Sequence, residues 1–219
     1  MSKLRLRYQT IELAGGDIHL RTLRDNQQFS DDEGEAEALG ISSAIWPLFG
    51  VVWESGKVLA KLMASENIEG LRILEVGCGI GLASLVLKQR GADITATDYH
   101  PEAGAFLAEN TRLNGFLPIQ FTRTDWADLD DDLGKFDLIV GSDLLYEPGC
   151  VALLSEFIRR HCNENCRVIM LDPKRGHLGN FTSAMMAMGF NVDSKERISQ
   201  ALSDSYKGWL TTYSHRKQS

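Results

Sequence analysis

The sequence predicts an α/β protein: a doubly wound, mostly parallel sheet of seven strands, the last strand antiparallel, with a β-hairpin ahead of it. Three observations carry that prediction. From Gly70 onward, short apolar runs alternate with stretches whose apolar residues recur at helical spacing. The run 71–76 leads straight into a glycine-rich turn and then a helix. The chain closes on two runs, 190–198 and 206–215, with no room between them for a full helix, which favours antiparallel pairing.

Residues 4–24 alternate loosely and break at Ala14, Gly15, Gly16 and Asp17, as a hairpin does. Residues 25–40 carry the acidic cluster Asp31, Asp32, Glu33 and Glu35 without any hydrophobic period. They read as a solvated loop, or as a lid over a site. The aromatic stretch from Ile45 through Trp46, Pro47, Leu48 and Phe49 to Gly50 would dock the hairpin on the core or roof a pocket. Val58, Leu59, Leu62 and Met63 make a helical stripe within 53–67. The first core strand is 71–76, and Leu82, Leu85 and Val86 give the next helix its buried face. A second strand, 92–97, precedes a helix that Pro101 opens and Asn114-Gly115 closes, with Ala103, Phe106, Leu107 and Leu113 on one side. Strands three, four and five are 118–122, 136–141 and 167–171. Helices between and after them are marked by Val151, Leu154, Phe157 and Ile158, then by Phe181, Ala184, Met185 and Met188. The division expected is a hairpin and acidic loop over 1–45 appended to a core domain over 46–219.

A chain of 219 residues supports one sizeable core. A net charge of −7 disfavours nucleic acid and suits a basic partner or a cationic substrate. No apolar run reaches membrane-span length and the start lacks a signal-peptide core, so the expected setting is the cytoplasm, without membrane contact. Cys162 and Cys166, beside His161, have a metal-like spacing. No second ligand pair stands elsewhere, so all four cysteines read as free thiols and no metal site is expected.

Parallel sheets of this kind bind ligands beyond the carboxyl ends of their strands. There the first strand runs out through Glu75, Val76, Gly77, Cys78, Gly79, Ile80 and Gly81 into a helix. Glycines permit a tight turn and close approach of backbone to a ligand. The dinucleotide pattern G-x-G-x-x-G would need glycine at position 82, which is leucine. The chain has G-x-G-x-G instead, and a second strand ending in Asp98, where a carboxylate can take both hydroxyls of a ribose. The alternative is a packing turn, with Asp98 as a helix cap.

These residues resemble the cofactor motifs of the seven-β-strand, S-adenosylmethionine-dependent methyltransferases, a Rossmann-like fold. The resemblance extends from about Trp46 to the C-terminus. It implies that Glu75, Gly77, Cys78, Gly79 and Gly81 form the cofactor loop and that Asp98, with Tyr99 after it, binds the ribose. It further implies that Asp125 holds the adenine amino group, that Trp126 stacks beside it, and that Ser142 lies on the cofactor too. Trp126 reads equally well as an ordinary buried tryptophan.

After strand four stand Asp143, Leu144, Leu145 and Tyr146. They resemble the D-x-x-Y motif of methyltransferase family 16, known mainly as protein lysine methyltransferases. The helix start Val52-Trp53-Glu54-Ser55-Gly56 and the stretch Asp172-Pro173-Lys174-Arg175 resemble the same group, which implies that Trp53 borders the cofactor. Asp143 would capture and orient a cationic amine, and Tyr146 would wall its methylene stem or its cation. A carboxylate raises the pKa of a bound amine, so Asp143 is not read as a strong base. The alternative is a helix-capping acid and a packed tyrosine.

The leading expectation is therefore an S-adenosylmethionine-dependent N-methyltransferase of a lysine in a protein, acting as a monomer. N-methylation of a small-molecule amine or heteroaromatic is the second reading. A non-catalytic cofactor-binding assembly protein is the third.

Overall fold

The computed structural model describes residues 5–25, 31, 34–43, 46–198 and 202–216. Leu4 of the hairpin, Asp32 and Glu33 of the acidic cluster, Ile45, and part of the stretch read as a loop or lid lie outside the described residues.

The hairpin is β1 (Leu6–Ile11) and β2 (Ile18–Leu23), paired antiparallel. A short helix α1 (Glu35–Ala38) and a 3₁₀ turn, Trp46–Gly50, lead into α2 (Glu54–Met63). The alternating core follows as β3 (Arg72–Val76), α3 (Leu82–Gln89), β4 (Asp93–Asp98), α4 (Ala103–Leu113), β5 (Gln120–Arg123) and β6 (Phe136–Ser142). It ends with α5 (Cys150–His161), β7 (Cys162–Asp172), α6 (Leu178–Ala187), β8 (Phe190–Arg197) and β9 (Trp209–Arg216).

The seven core strands form one sheet in the order β5-β4-β3-β6-β7-β9-β8. All pairs from β5 to β7 are parallel, and β9 runs antiparallel to both of its neighbours. This is the predicted sheet, including the reversed last strand.

Successive strand residues point to opposite faces, and the core divides accordingly. Ile73, Leu138, Val140, Ile169 and Leu171 pack against Val58, Leu85, Phe106 and Leu107 from α2, α3 and α4. Leu74, Val76, Ile139, Val168 and Met170 pack against Leu154, Phe157, Phe181 and Met185 from α5 and α6. Because both faces are covered, β3 and β6 read as continuous apolar runs rather than as alternating ones.

Helix α2 ends at Met63, four residues short of the expected range, and β9 starts at Trp209, three residues later than expected; two further departures are larger. Strand β7 begins at Cys162, five residues before the expected start, directly after α5. Its first residues are polar and give no apolar signal. They are held by an irregular register between Phe136 and Leu138 and by the Asn163 amide donating to the Asp137 carboxylate at 2.6 Å. The acidic stretch also contains α1, which docks through the fully buried Ala36.

The hairpin is fastened to α4 by two asparagines one helical turn apart, which share a helix face. Asn110 Oδ1 accepts from the Arg21 backbone N–H at 2.7 Å, and its amide donates to the Ile80 carbonyl at 3.1 Å. Asn114 Oδ1 accepts from the His19 N–H at 2.8 Å, and its amide donates to the His19 carbonyl at 2.7 Å. The two side chains thus pair with alternate residues of β2, as a neighbouring strand would. Asn110 is fully buried and joins the hairpin to the glycine loop. Asn110→Ala strands two backbone groups, so it should destabilise the protein by about 2–4 kcal/mol. Asn114→Ala, where water can replace the amide, should cost about 1 kcal/mol or less. Urea denaturation of both variants checks the difference.

Candidate active site

Two loops meet at the point where the chain order reverses, between β3 and β6. The first is the glycine loop. Gly77, Gly79 and Gly81 have φ of 63°, 53° and 76°, in the left-handed region that residues with a Cβ avoid. Space is as restrictive as conformation. A Cβ on Gly77 would lie 2.4 Å from Leu144 Cδ2, one on Gly79 2.9 Å from the Phe49 carbonyl oxygen, and one on Gly81 2.3 Å from Leu107 Cδ1. The loop is therefore shaped by the protein's own packing at all three glycines, whatever ligand also approaches it.

Asp98 closes this loop from the end of β4. Its Oδ2 accepts from the Gly79 N–H at 2.8 Å and its Oδ1 from the His100 N–H at 2.9 Å. Burial pushes its pKa up. Each oxygen keeps lone-pair capacity for a further donor. Glu75 faces elsewhere. Its Oε2 accepts from the backbone N–H of Ser84, at 2.8 Å, and from the Ser84 hydroxyl, in the first turn of α3. It thus holds the helix start that follows the loop. Burial pushes its pKa up to about 7. The Cys78 N–H donates to the Thr97 carbonyl at 2.9 Å, and its buried thiol is held well above the ordinary range by burial, then by Asp98 and Glu75.

The surroundings of the loop come from three segments. Phe49 of the 3₁₀ turn stacks on His100 at 3.9 Å and meets Phe106 edge-on at 5.1 Å. Burial pushes His100 down to about 4, so its ring is neutral. Gly50 abuts the Leu23 side chain of the hairpin. The aromatic stretch therefore docks the hairpin and overlies the glycine loop at once. The Tyr99 hydroxyl donates to the Leu39 carbonyl, tying the end of α1 to the end of β4. After β5, the exposed Asp125 accepts from the Ala127 N–H at 2.9 Å. Trp126 is partly buried against the α5–α6 side of the core.

The second loop leaves β6 at Ser142. Asp143 has φ 59°, left-handed for a residue with a side chain, and its N–H donates to the Leu171 carbonyl at 2.9 Å. Leu144 and Leu145 are buried and anchor the turn. Both Asp143 carboxylate oxygens are engaged by Arg175, at 2.8 Å from Nε and 2.9 Å from Nη2. The turn after β7 aims that arginine. Asp172 Oδ1 accepts from the N–H groups of Lys174, at 2.8 Å, and Arg175, at 3.3 Å, and Lys174 has φ 70°.

Trp53, Glu54, Ser55, Asp143, Pro173, Lys174, Arg175 and Tyr206 line a cavity of about 470 Å³ at this end of the sheet. The Ser55 hydroxyl and the Tyr206 hydroxyl are buried and have no hydrogen-bond partner among the described residues. Trp53 is exposed, its indole N–H donating to the Leu48 carbonyl at 2.8 Å. Tyr146 stands on the Asp143 turn with its ring half exposed, outside the lining of this cavity; the aromatic wall here is Trp53 and Tyr206. A larger cleft of about 700 Å³, lined by Asn67, Arg72, Arg90 and Asp93, lies at the opposite end of β3 and β4, away from every residue singled out above.

The sequence thus brought Trp53 and Asp143 to one cavity and Gly79 and Asp98 to one contact. It missed the roles of Arg175 and Tyr206. The stretch Asp172-Pro173-Lys174-Arg175 was itself visible, and an acid before Pro is a turn signal. Nothing local says that its arginine reaches back across 32 residues to Asp143.

Fold and loops together define a protein of the seven-strand methyltransferase class. Among solved structures, the ribosomal protein L11 methylase of Lactobacillus delbrueckii subsp. bulgaricus superposes with a TM-score of 0.57 at 28% identity, over 73% of this chain and 77% of that one. The family model described as lysine methyltransferase matches residues 36–186, and the chain belongs to that family. The electron transfer flavoprotein beta subunit lysine methyltransferase of Xenopus laevis is 28% identical over 138 residues, 61% of this chain and 55% of the relative. The protein N-lysine methyltransferase METTL21A of Danio rerio is 32% identical over 140 residues, 58% of this chain and 62% of the relative. The chain therefore spans a little over half the length of these curated relatives.

Glu75 gives a pH signature. An acid with its pKa raised on folding binds its proton more tightly in the folded state, so its contribution to stability falls as pH rises from about 4.5 to about 7 and is flat above. Glu75→Gln keeps an acceptor and a donor for Ser84 but cannot ionise. The stability difference between Glu75→Gln and the native protein should grow in favour of the variant across that window, by on the order of 3 kcal/mol. Denaturation midpoints at a series of pH values measure it.

Proposed function

We propose that the chain is an S-adenosylmethionine-dependent N-methyltransferase whose acceptor is a lysine side chain of a protein. The observation that carries this reading is the meeting of Trp53 and Asp143 in one cavity, on a turn packed through Leu144 against the glycine loop. Family membership and the names of the matched relatives support the lysine acceptor. The residues present fit the cofactor: Asp98 keeps acceptor capacity on both oxygens beside the glycine loop.

In this reading Asp98 takes the ribose hydroxyls, with Tyr99 beside it. Gly77, Cys78, Gly79 and Gly81 pass the amino-acid portion, and Glu75 sets the loop through Ser84. Asp125 takes the adenine amino group, Trp126 flanks it, and Trp53 and Ser142 border the reacting end. When bound, the cofactor supplies a methyl group on a sulfonium, open to in-line displacement.

The protein must bring a neutral amine in line with that methyl. At neutral pH a lysine with a pKa near 10.4 needs roughly 4–5 kcal/mol to shed its proton. Trp53 and Tyr206 desolvate the amine and so lower its pKa. Asp143 orients it through an N–H, and holding it in line contributes most of the rate. The same reading sets the protein in the cytoplasm, where its four buried free thiols stay reduced.

Incubation with methyl-labelled S-adenosylmethionine and cell lysate, followed by hydrolysis and amino-acid analysis, should yield labelled methyllysine. Label confined to small molecules, or absent, overturns the reading. S-adenosylmethionine should raise the melting temperature and NAD should not. Asp143→Asn, which tolerates the left-handed backbone, should slow transfer on the order of a hundredfold while cofactor affinity stays within a few-fold. Loss of both together would make Asp143 structural.

A further inference from the structure

Asp143 is not free to receive a cation. Arg175 occupies both of its oxygens in a bidentate pair, with the Asp143 side chain 12% exposed and that of Arg175 44%. Such forks are the strongest form of ion pair. The pair is held from both ends. Asp143 is fixed by its bond to the Leu171 carbonyl, and Arg175 by the grip of Asp172 on its N–H and that of Lys174.

An unpaired carboxylate in this cavity would bind an alkylammonium and raise its pKa, opposing the proton loss that transfer needs. A carboxylate already neutralised by a guanidinium behaves differently. It has about four lone-pair sites, and the fork uses two. It can still accept one N–H from a neutral amine, and it exerts little net field to keep that amine charged.

We propose that Arg175 is a positioning residue that neutralises Asp143, so that the acceptor seat orients a neutral amine instead of trapping a cation. The inference rests on reading the cavity as the acceptor site. The other charged groups around it do not take over this role. Glu54 is paired with Lys57 at 2.6 Å, Asp172 spends Oδ1 on its own turn and keeps Oδ2 buried without a hydrogen-bond partner among the described residues, outside the lining of the cavity, and Lys174 lines the cavity without an ion pair at Asp143. Tyr206 stays un-ionised, its pKa pushed up by burial and then by Asp143 and Asp172.

The probe is n-butylamine, the lysine side chain in miniature, almost wholly cationic at pH 7. Calorimetric titration should show weak binding to the native protein. Arg175→Gln uncovers the carboxylate and should bind the probe roughly tenfold tighter, the scale of one charge-assisted hydrogen bond. Arg175→Lys keeps the charge and should stay close to the native affinity. In labelled-transfer assays Arg175→Gln should lose activity even while it binds the amine better. A damaged fold would bind less, so the gain in affinity is the discriminating readout. Affinity unchanged or weaker in Arg175→Gln, or no binding to either form, overturns the proposal. If Arg175→Gln fails to fold, Arg175→Met, which keeps the aliphatic stem, takes its place under the same criteria. Failure of the underlying function is seen separately, as absence of methyllysine with the native protein.

Discussion

Leu144 holds the two halves of the site at a fixed distance. Its side chain fills the slot left by two glycines, Gly77 just past the end of β3 and Gly141 in β6, lying 2.4 Å from where a Cβ of Gly77 would stand and 2.7 Å from that of Gly141. A protein interior packed at crystal density does not stretch to accommodate a shift. Seating Leu144 therefore determines where Asp143, one residue earlier, can stand relative to the glycine loop. The left-handed backbone at Asp143 follows from the same requirement: the chain must turn sharply at the end of β6 to put Leu144 back over β3. A short polar residue is among the few that accept that conformation. The motif's acid and its leucine are thus two consequences of one turn.

Around that turn the protein gathers acids and desolvates them. Glu75 is raised to about 7, and Asp98 and Asp172 are raised as well, each chiefly by burial. Buried acids with raised pKa values are destabilised as anions and become stable ones when a cation arrives. In the proposed reading, Arg175 offsets the charge of Asp143, because a site that transfers a methyl to nitrogen would gain from attracting an amine but lose if it held that amine protonated.

The parts of the fold most legible in the sequence were those whose signal is apolar and local. Strands β3 and β6 are buried on both faces and announce themselves as runs of Ile, Leu and Val, and the glycine loop lies directly at the end of one of them. The start of β7 was not legible, because only Cys162 of its first four residues is buried in the core and Asn163, Glu164 and Asn165 are polar, with Asn163 bonded to Asp137. Asn110 read only as one position in a helix. Its two bonds, to Arg21 and Ile80, span 89 and 30 residues of chain, and no local pattern encodes them. The same limit applies to the site. Asp98 follows from its place at a strand's end and Trp53 from the family resemblance of its helix start, whereas the contacts of Arg175 and Tyr206 are made only once the sheet is assembled.

Tyr206 stands apart from the other residues of the cavity in its place along the chain. The glycine loop, Asp98, Asp143 and Arg175 all lie within the matched family region, 36–186, whereas Tyr206 enters the cavity from the connection between β8 and β9 beyond it. That connection is tied to α2 by the Lys61 ammonium donating to the Leu202 carbonyl at 2.8 Å and by Ser205 donating to Glu54 at 3.2 Å. Both bonds are exposed, so each contributes about 1 kcal/mol or less to stability. Tyr206 itself is seated by burial: it is 8% exposed and belongs to the core cluster of Ile169 and Leu171, with Leu202 packed against the same cluster. The aromatic wall of the cavity is thus anchored in the core, while the rim of its connection is held by exposed hydrogen bonds. In the proposed reading it is that wall, Tyr206 included, that would set which side chain is admitted.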